Sequence, residues 1–226
     1  MPKVRSQARD KGSQTGGQPP RRALTRDRII AGALTLIERE GLDAFSTRKL
    51  GAALGVEAMA LYHHFPSKEE LLDALAEHLL TLVDLPPETL SWRGWLKQVA
   101  RNYRRMALKH PNTFPILVTR RYRAHGSFAF FEANLRVLTA AGFSVREALR
   151  LTRTIGSFVN GVLLPEIAGR KSAGSGDRMA RTLPPGLPLI KQAASYLNST
   201  AMDGTFEYGL ELIVTAADSK KERLRP

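Results

Sequence analysis

Between Ser46 and Pro66 the chain has room for only two short helices and a tight turn, and this leaves few folds open. The first helix follows Ser46 and runs through Leu50 to Ala53. Leu54-Gly55-Val56 is the turn, built around the residue that most readily adopts a left-handed backbone. The second helix covers about Glu57 to His64 and stops at Phe65-Pro66, because proline cannot continue a helix. So short a pair needs longer apolar helices on both sides, and the flanks provide them. Upstream, Thr25 is a plausible N-cap, Ile29, Ile30, Ala33, Leu34 and Ile37 recur at helical spacing, and Gly41 is the stop. Downstream, Ser67 and Glu70 have capping-box spacing, followed by a stripe of Leu71, Leu72, Leu75, Leu79 and Leu82. Two short helices joined by a Gly-containing turn make a helix-turn-helix, and an α-helix fits the major groove of B-DNA.

Leu85-Pro86-Pro87 reads as a joint. Beyond it helices are expected at about Trp92 to Lys109, Thr113 to Arg123, Ser127 to Ala141, Ser144 to Ile167, Pro188 to Asn198 and Asp203 to Ala217. No strand pattern and no internal repeat is present. The fold class is therefore all-α, with about nine or ten helices. Four regions are expected: a disordered basic arm at 1–22, a helix-turn-helix domain with its connecting helix at 23–85, a larger helical domain at 86–218 and a tail at 219–226. Residues 170–186, rich in Gly, Ser and Pro and basic, read as a loop.

The formal net charge of +13 suggests a polyanionic partner. The charge is not concentrated in the helix-turn-helix, however. Residues 23–85 carry six basic and ten acidic side chains, whereas the arm and the C-terminal part are basic. DNA reading must therefore rest on a few placed side chains, not on bulk charge. The arm, with Arg21 and Arg22 nearest the first helix, either reaches the duplex or is a loose tail. There are no cysteines, and no stretch approaches the roughly 20 apolar residues that span a bilayer. A soluble, cytoplasmic protein with no cofactor is expected.

In the second short helix, Ala58, Met59 and Ala60 allow close approach to base edges, and small apolar groups can meet a thymine methyl. Thr47 and Tyr62 by hydroxyl, and Lys68 by charge, suit phosphates. Arg48, on the preceding helix, suits a bidentate pair with guanine. His63 and His64 are adjacent, so on a helix they point about 100° apart and cannot face one metal. Each of these residues also suits a plain packing or surface role.

The run Ser46-Thr47-Arg48-Lys49-Leu50, then Leu54-Gly55-Val56-Glu57, Leu61-Tyr62-His63-His64-Phe65, Lys68 and Leu71-Leu72-Asp73-Ala74-Leu75-Ala76 resembles the DNA-binding domain of the TetR family, most closely its tetracycline-repressor subgroup. The resemblance extends more loosely over about residues 25–217. It rests there on Ser91-Trp92, His110, Glu132, Ala141-Gly142-Phe143-Ser144, Gly156, Phe158, Gly161 and Phe206 with Gly209-Leu210-Glu211-Leu212-Ile213. It implies a homodimer on a palindromic operator, released by a small-molecule inducer held in the C-terminal domain. It implies that Arg48 reads a base, that Ala58, Met59 and Ala60 face the groove, that Thr47, Tyr62 and Lys68 hold phosphates, and that His63 and His64 touch DNA. The implied dimer interface is a four-helix bundle formed by the long helix and the last one. Phe206, Leu210, Ile213 and Val214 suit that burial or the chain's own core.

The drug-binding residues of that subgroup are not retained. Leu117 stands where a histidine would ligate magnesium, and Asp84, Val99 and Ser157 stand at further drug-contacting positions. The expected lining is Trp95, Val99, Tyr103, Met106, Leu117, Phe131, Leu138 and Phe158, with Asn134, Thr154 and Ser157 polar, which suits a hydrophobic or amphipathic molecule. The basic faces Arg101, Arg104, Arg105 and Arg120, Arg121, Arg123 hint at an anionic ligand. A constitutive DNA-binding factor without ligand and a small all-α enzyme are the rival readings. Against the enzyme, no nucleophile–base set, Gly-rich phosphate loop or cluster at metal-ligand spacing is visible.

Overall fold

The structure, a computed structural model, describes residues 23–120, 127–171, 186–193 and 201–223. The arm at 1–22, Arg121, Arg123, most of the expected loop and the last three residues lie outside the described residues. Ten helices and no strand occur among those described: α1 Arg26–Glu40, α2 Thr47–Leu54, α3 Ala58–Tyr62, α4 Lys68–Thr81, α5 Trp92–Lys109, α6 Phe114–Arg120, α7 Ser127–Ala140, α8 Val145–Lys171, α9 Pro188–Ala193 and α10 Ala201–Arg223. None is long and apolar enough to cross a membrane.

Hydroxyl caps set where the N-terminal helices begin. Thr25, Ser46, Ser67 and Ser91 each accept a hydrogen bond from the backbone N–H three residues on. Such a cap typically contributes about 1 kcal/mol. The box expected at Ser67 and Glu70 is closed in that one direction, and the reciprocal pair forms at Ser144 and Glu147. Gly55 ends α2 at φ 69°, a left-handed cap that alanine would strain.

The first four helices share one apolar centre. Ile29, Ala33 and Ile37 of α1, Leu50 of α2, Leu61 of α3 and Leu71 and Leu75 of α4 are all within a few per cent of full burial. α4 then leaves this group. Its last turns, with Leu79 and Leu80, pack into the larger helical body formed by α5 to α8 and α10. Trp92 at the start of α5 meets Phe143 edge to face, ring centroids 5.0 Å apart.

At the C-terminal end one expectation changes and one alternative is decided. α8 runs on to Lys171, beyond the Ile167 expected, with Pro165 inside it on an exposed face. The stripe Phe206, Leu210 and Val214 is not an open interface. It is buried within the one chain, with Phe206 stacked on Phe158 at 6.3 Å. The side of α10 that stays open carries Gly204, Tyr208 and Leu212 instead, and on α8 Thr154, Ser157, Gly161, Leu164 and Ala168 are exposed. Tyr208 is 70% exposed.

Candidate nucleic-acid interface and binding cavity

α1 holds the two short helices by their C-terminal carbonyls, the groups a helix leaves without internal partners. Arg28 Nη2 donates to Leu54 O at 2.9 Å, and Arg26 donates to His64 O while lying 4.1 Å over the Phe65 ring. Leu50, Leu61 and Phe65 anchor the pair from below. Position 51 is equally tight, for a Cβ there would lie 2.8 Å from Val56 O and 3.1 Å from Ala58 N.

The outer face carries most of the residues singled out for DNA contact. Arg48, Met59, Tyr62, His63 and Lys68 are exposed, and Thr47, Ala58, Ala60 and His64 are half-buried. A shallow groove runs past Gly55, Glu57, Met59, Ala60 and His63. The hydroxyls of Thr47 and Tyr62, from α2 and α3, lie 3.3 Å apart and hydrogen-bond to each other, which leaves one hydroxyl hydrogen free at that point. Lys68 Nζ donates to Phe45 O at 3.3 Å, and Lys49 pairs with Glu40 at 3.0 Å. Arg48 has no ion-pair partner among the described residues, so its guanidinium is uncommitted.

A second feature lies in the helical body: a small cavity of about 50 Å³ between α4, α5, α7 and α8. Its walls are Leu80, Leu96, Val99, Ala100, Tyr103, Phe130, Phe131, Asn134, Thr152, Ile155, Gly156 and Val159, with no charged side chain. Its polar groups are already oriented. Asn134 Oδ1 accepts from Trp95 Nε1 at 3.1 Å while Asn134 Nδ2 donates to Phe130 O at 2.7 Å. Tyr103 donates its hydroxyl hydrogen to Asn160 Oδ1 at 3.0 Å, and Thr152 bonds back to Ala148 O.

Of the expected lining, the structure brings Val99, Tyr103, Phe131 and Asn134 together around this space. Trp95, Met106, Leu117 and Leu138 are buried in the surrounding core and are not part of the wall. Thr154 and Ser157 are exposed, and Phe158 packs on Phe206. The cause is helical phase. Each residue turns the helix by about 100°, and α8 directs 152, 155, 156 and 159 inward, which leaves 154 and 157 on the outer side. Ile155 and Val159, both apolar and four apart, carried that phase in the sequence. Leu80, Leu96, Ala100 and Phe130 were not anticipated, because nothing local distinguishes a cavity wall from solid core.

Three of the six arginines on these faces serve structure. Arg101 pairs with Glu207, Arg104 with Glu166 and Asp203, and Arg120 with Glu69 and Asp73. Asp84 is exposed, and its backbone carbonyl accepts from Asn102. Burial lowers the pKa of His110 at the end of α5, and its Nδ1 has no partner.

Comparison with known proteins gives a consistent result. Residues 29–75 match the family described as bacterial regulatory proteins, tetR family, and residues 85–216 match the tetracyclin repressor-like C-terminal domain. The class A tetracycline repressor from transposon 1721 of Escherichia coli is 36% identical over 189 residues, 82% of this chain and 87% of that protein. Among solved structures, the Streptomyces coelicolor TetR family protein ActR in complex with actinorhodin superposes with TM-score 0.77 at 30% identity, covering 88% of this chain and 98% of that one. A TetR variant from Acinetobacter baumannii AYE in complex with minocycline superposes with TM-score 0.69, also at 30% identity, covering 87% and 98%.

Proposed function

The chain belongs to the TetR family of bacterial regulatory proteins, and from that premise we propose a homodimeric repressor that releases its operator when an uncharged, mainly apolar molecule fills the α4–α8 cavity. Members of this family are ligand-responsive DNA-binding regulators and not enzymes. The DNA-binding region is 23–85 and the ligand and dimerisation region 86–218.

One observation carries the reading. α4 begins at Lys68, beside the DNA-facing residues, and ends with Leu80 in the cavity wall. At 1.5 Å per residue these points lie about 18 Å apart on one rigid helix. A molecule that displaces Leu80 moves the other end of the same rod.

On the duplex, Arg48 reads a base, Ala58, Met59 and Ala60 face the groove, Thr47, Tyr62 and Lys68 hold phosphates, and His63 and His64 flank them. Replacing Tyr62 with Phe removes one hydroxyl donor per protomer and is expected to weaken binding by about tenfold on every sequence alike. Competition titrations against specific and random duplexes check this, and a loss confined to one sequence contradicts it. The second protomer docks on the open side of α8 and α10, which gives two reading helices to a palindromic site.

The inducer follows from the cavity. A wall without charge rejects ions and metal chelates, and Leu117, buried in the core, offers no metal ligand. Asn134 and Tyr103 supply orientation. The test is a selection of bound duplexes from a random pool, followed by release titrations with uncharged polycyclic aromatics, anthraquinone first, and with tetracycline plus magnesium. A palindromic consensus, released at least tenfold by an uncharged aromatic and unaffected by tetracycline–magnesium, is expected. An asymmetric consensus overturns the dimer. Release by the magnesium complex alone overturns the ligand class.

A further inference from the structure

Besides the α4 rod, a second link joins the cavity to the DNA-binding end. Glu38, in the last turn of α1, reaches the residues that lead into α6. Its Oε1 accepts from Thr113 N at 2.9 Å and from Thr113 Oγ1 at 2.5 Å. Its Oε2 accepts from Asn112 N at 3.2 Å, and its backbone carbonyl accepts from Asn112 Nδ2 at 2.8 Å. Thr113 is fully buried and Glu38 and Asn112 are half-buried, so these bonds are partly shielded from water. The next residue, Phe114, is also fully buried and meets Tyr103 edge to face at 5.8 Å. Tyr103 is a cavity wall residue. The sequence of contacts is therefore cavity, Tyr103, Phe114, Thr113, Glu38, α1, and α1 holds the carbonyls of α2 and α3 through Arg26 and Arg28.

We propose that Glu38 is a positioning residue that latches α6 to α1 and so transmits the state of the cavity to the reading helices; this rests on the cavity being the inducer site. The latch differs in kind from the pair at the other end of α6, where Arg120 meets Glu69 and Asp73 of α4, both well exposed or half-exposed. A carboxylate that accepts two backbone N–H groups and a hydroxyl beside a fully buried threonine is held or lost nearly as a unit, because the Thr113 N–H freed there has little water to turn to. That gives the two discrete states a switch requires.

Coupling between sites is reciprocal, so the latch is testable without the inducer. Amide hydrogen exchange is measured on the full chain, free and bound to its selected operator duplex. Operator binding is expected to slow exchange at Asn112 and Thr113 at least tenfold, though neither belongs to the DNA-facing set. In Glu38→Gln that protection falls below twofold while operator affinity stays within about threefold; Thr113→Val, which keeps shape and loses the hydroxyl, gives a partial loss. Unchanged exchange at these amides in the native chain overturns the latch. So does full operator-linked protection in Glu38→Gln, whatever its melting temperature, since a merely structural bond lowers stability without severing the link. Native protection in a protein that no aromatic releases supports the latch and sinks the inducer reading instead.

Discussion

Glu166→Ala is expected to destabilise the chain by about 3 kcal/mol and to lower its melting temperature by roughly 6–12 °C. The Glu166 side chain is 1% exposed and joins three helices from within α8. It accepts two hydrogen bonds from Arg104 of α5, at 3.0 and 2.7 Å, and one from Arg170 at 2.9 Å, and Arg104 reaches on to Asp203 of α10. Burial of Arg104 opposes its charge, but the bonds to Glu166 and Asp203 more than offset this, and the guanidinium is held above its ordinary pKa. Remove the carboxylate and the largely buried cation keeps only its exposed partner. The cost is therefore that of an uncompensated charge, not of one lost contact. The double variant Arg104→Met with Glu166→Leu separates the two, because it removes the charge together with the need for its partner, and most of the stability should return. A calorimetric scan decides. Glu166→Ala melting within about 2 °C of the native chain contradicts the account.

The second large effect lies at the DNA face. Arg48→Ala is expected to weaken operator binding by roughly 30- to 20,000-fold and to flatten base preference at one position of each half-site. A bidentate arginine–guanine pair contributes about 1–3 kcal/mol of discrimination, and a two-fold protein makes it twice. Arg48 suits the role by what surrounds it. Lys49 next door is committed to Glu40, Arg26 and Arg28 to backbone carbonyls, and Lys68 in part to Phe45. Duplex selection run in parallel on native and Arg48→Ala protein measures both parts. Lost affinity with an unchanged consensus would make Arg48 a phosphate contact.

The N-terminal helices were legible because local chemistry sets their limits. Ser46, Gly55, Pro66 and Ser67 are caps and stops whose effect needs no partner from elsewhere in the chain, and α2, α3 and α4 begin and end within two residues of where these place them. α5 was equally plain, from Trp92 to Lys109. The cavity was legible only in part. Val99, Tyr103 and Phe131 are apolar whether they line a space or fill one, and sequence periodicity reports the inward side of a helix, not whether that side meets anything. On α8, Ile155 and Val159 carry the inward phase, and Thr154 and Ser157 stand on the outer side. The Glu38 latch had no local signal at all, since it joins residues more than seventy apart.

The proposed reading helix α3 is five residues long, and two of the three positions proposed to face the groove are alanine. Ala58 and Ala60 contribute little to the core, so either can be exchanged for a polar residue without rebuilding what lies beneath. After a gene duplication, one or two codon changes there would give the copy a new set of promoters while the cavity and its inducer stayed the same. A single chemical signal could thereby come to control separate genes through regulators that differ in almost nothing else.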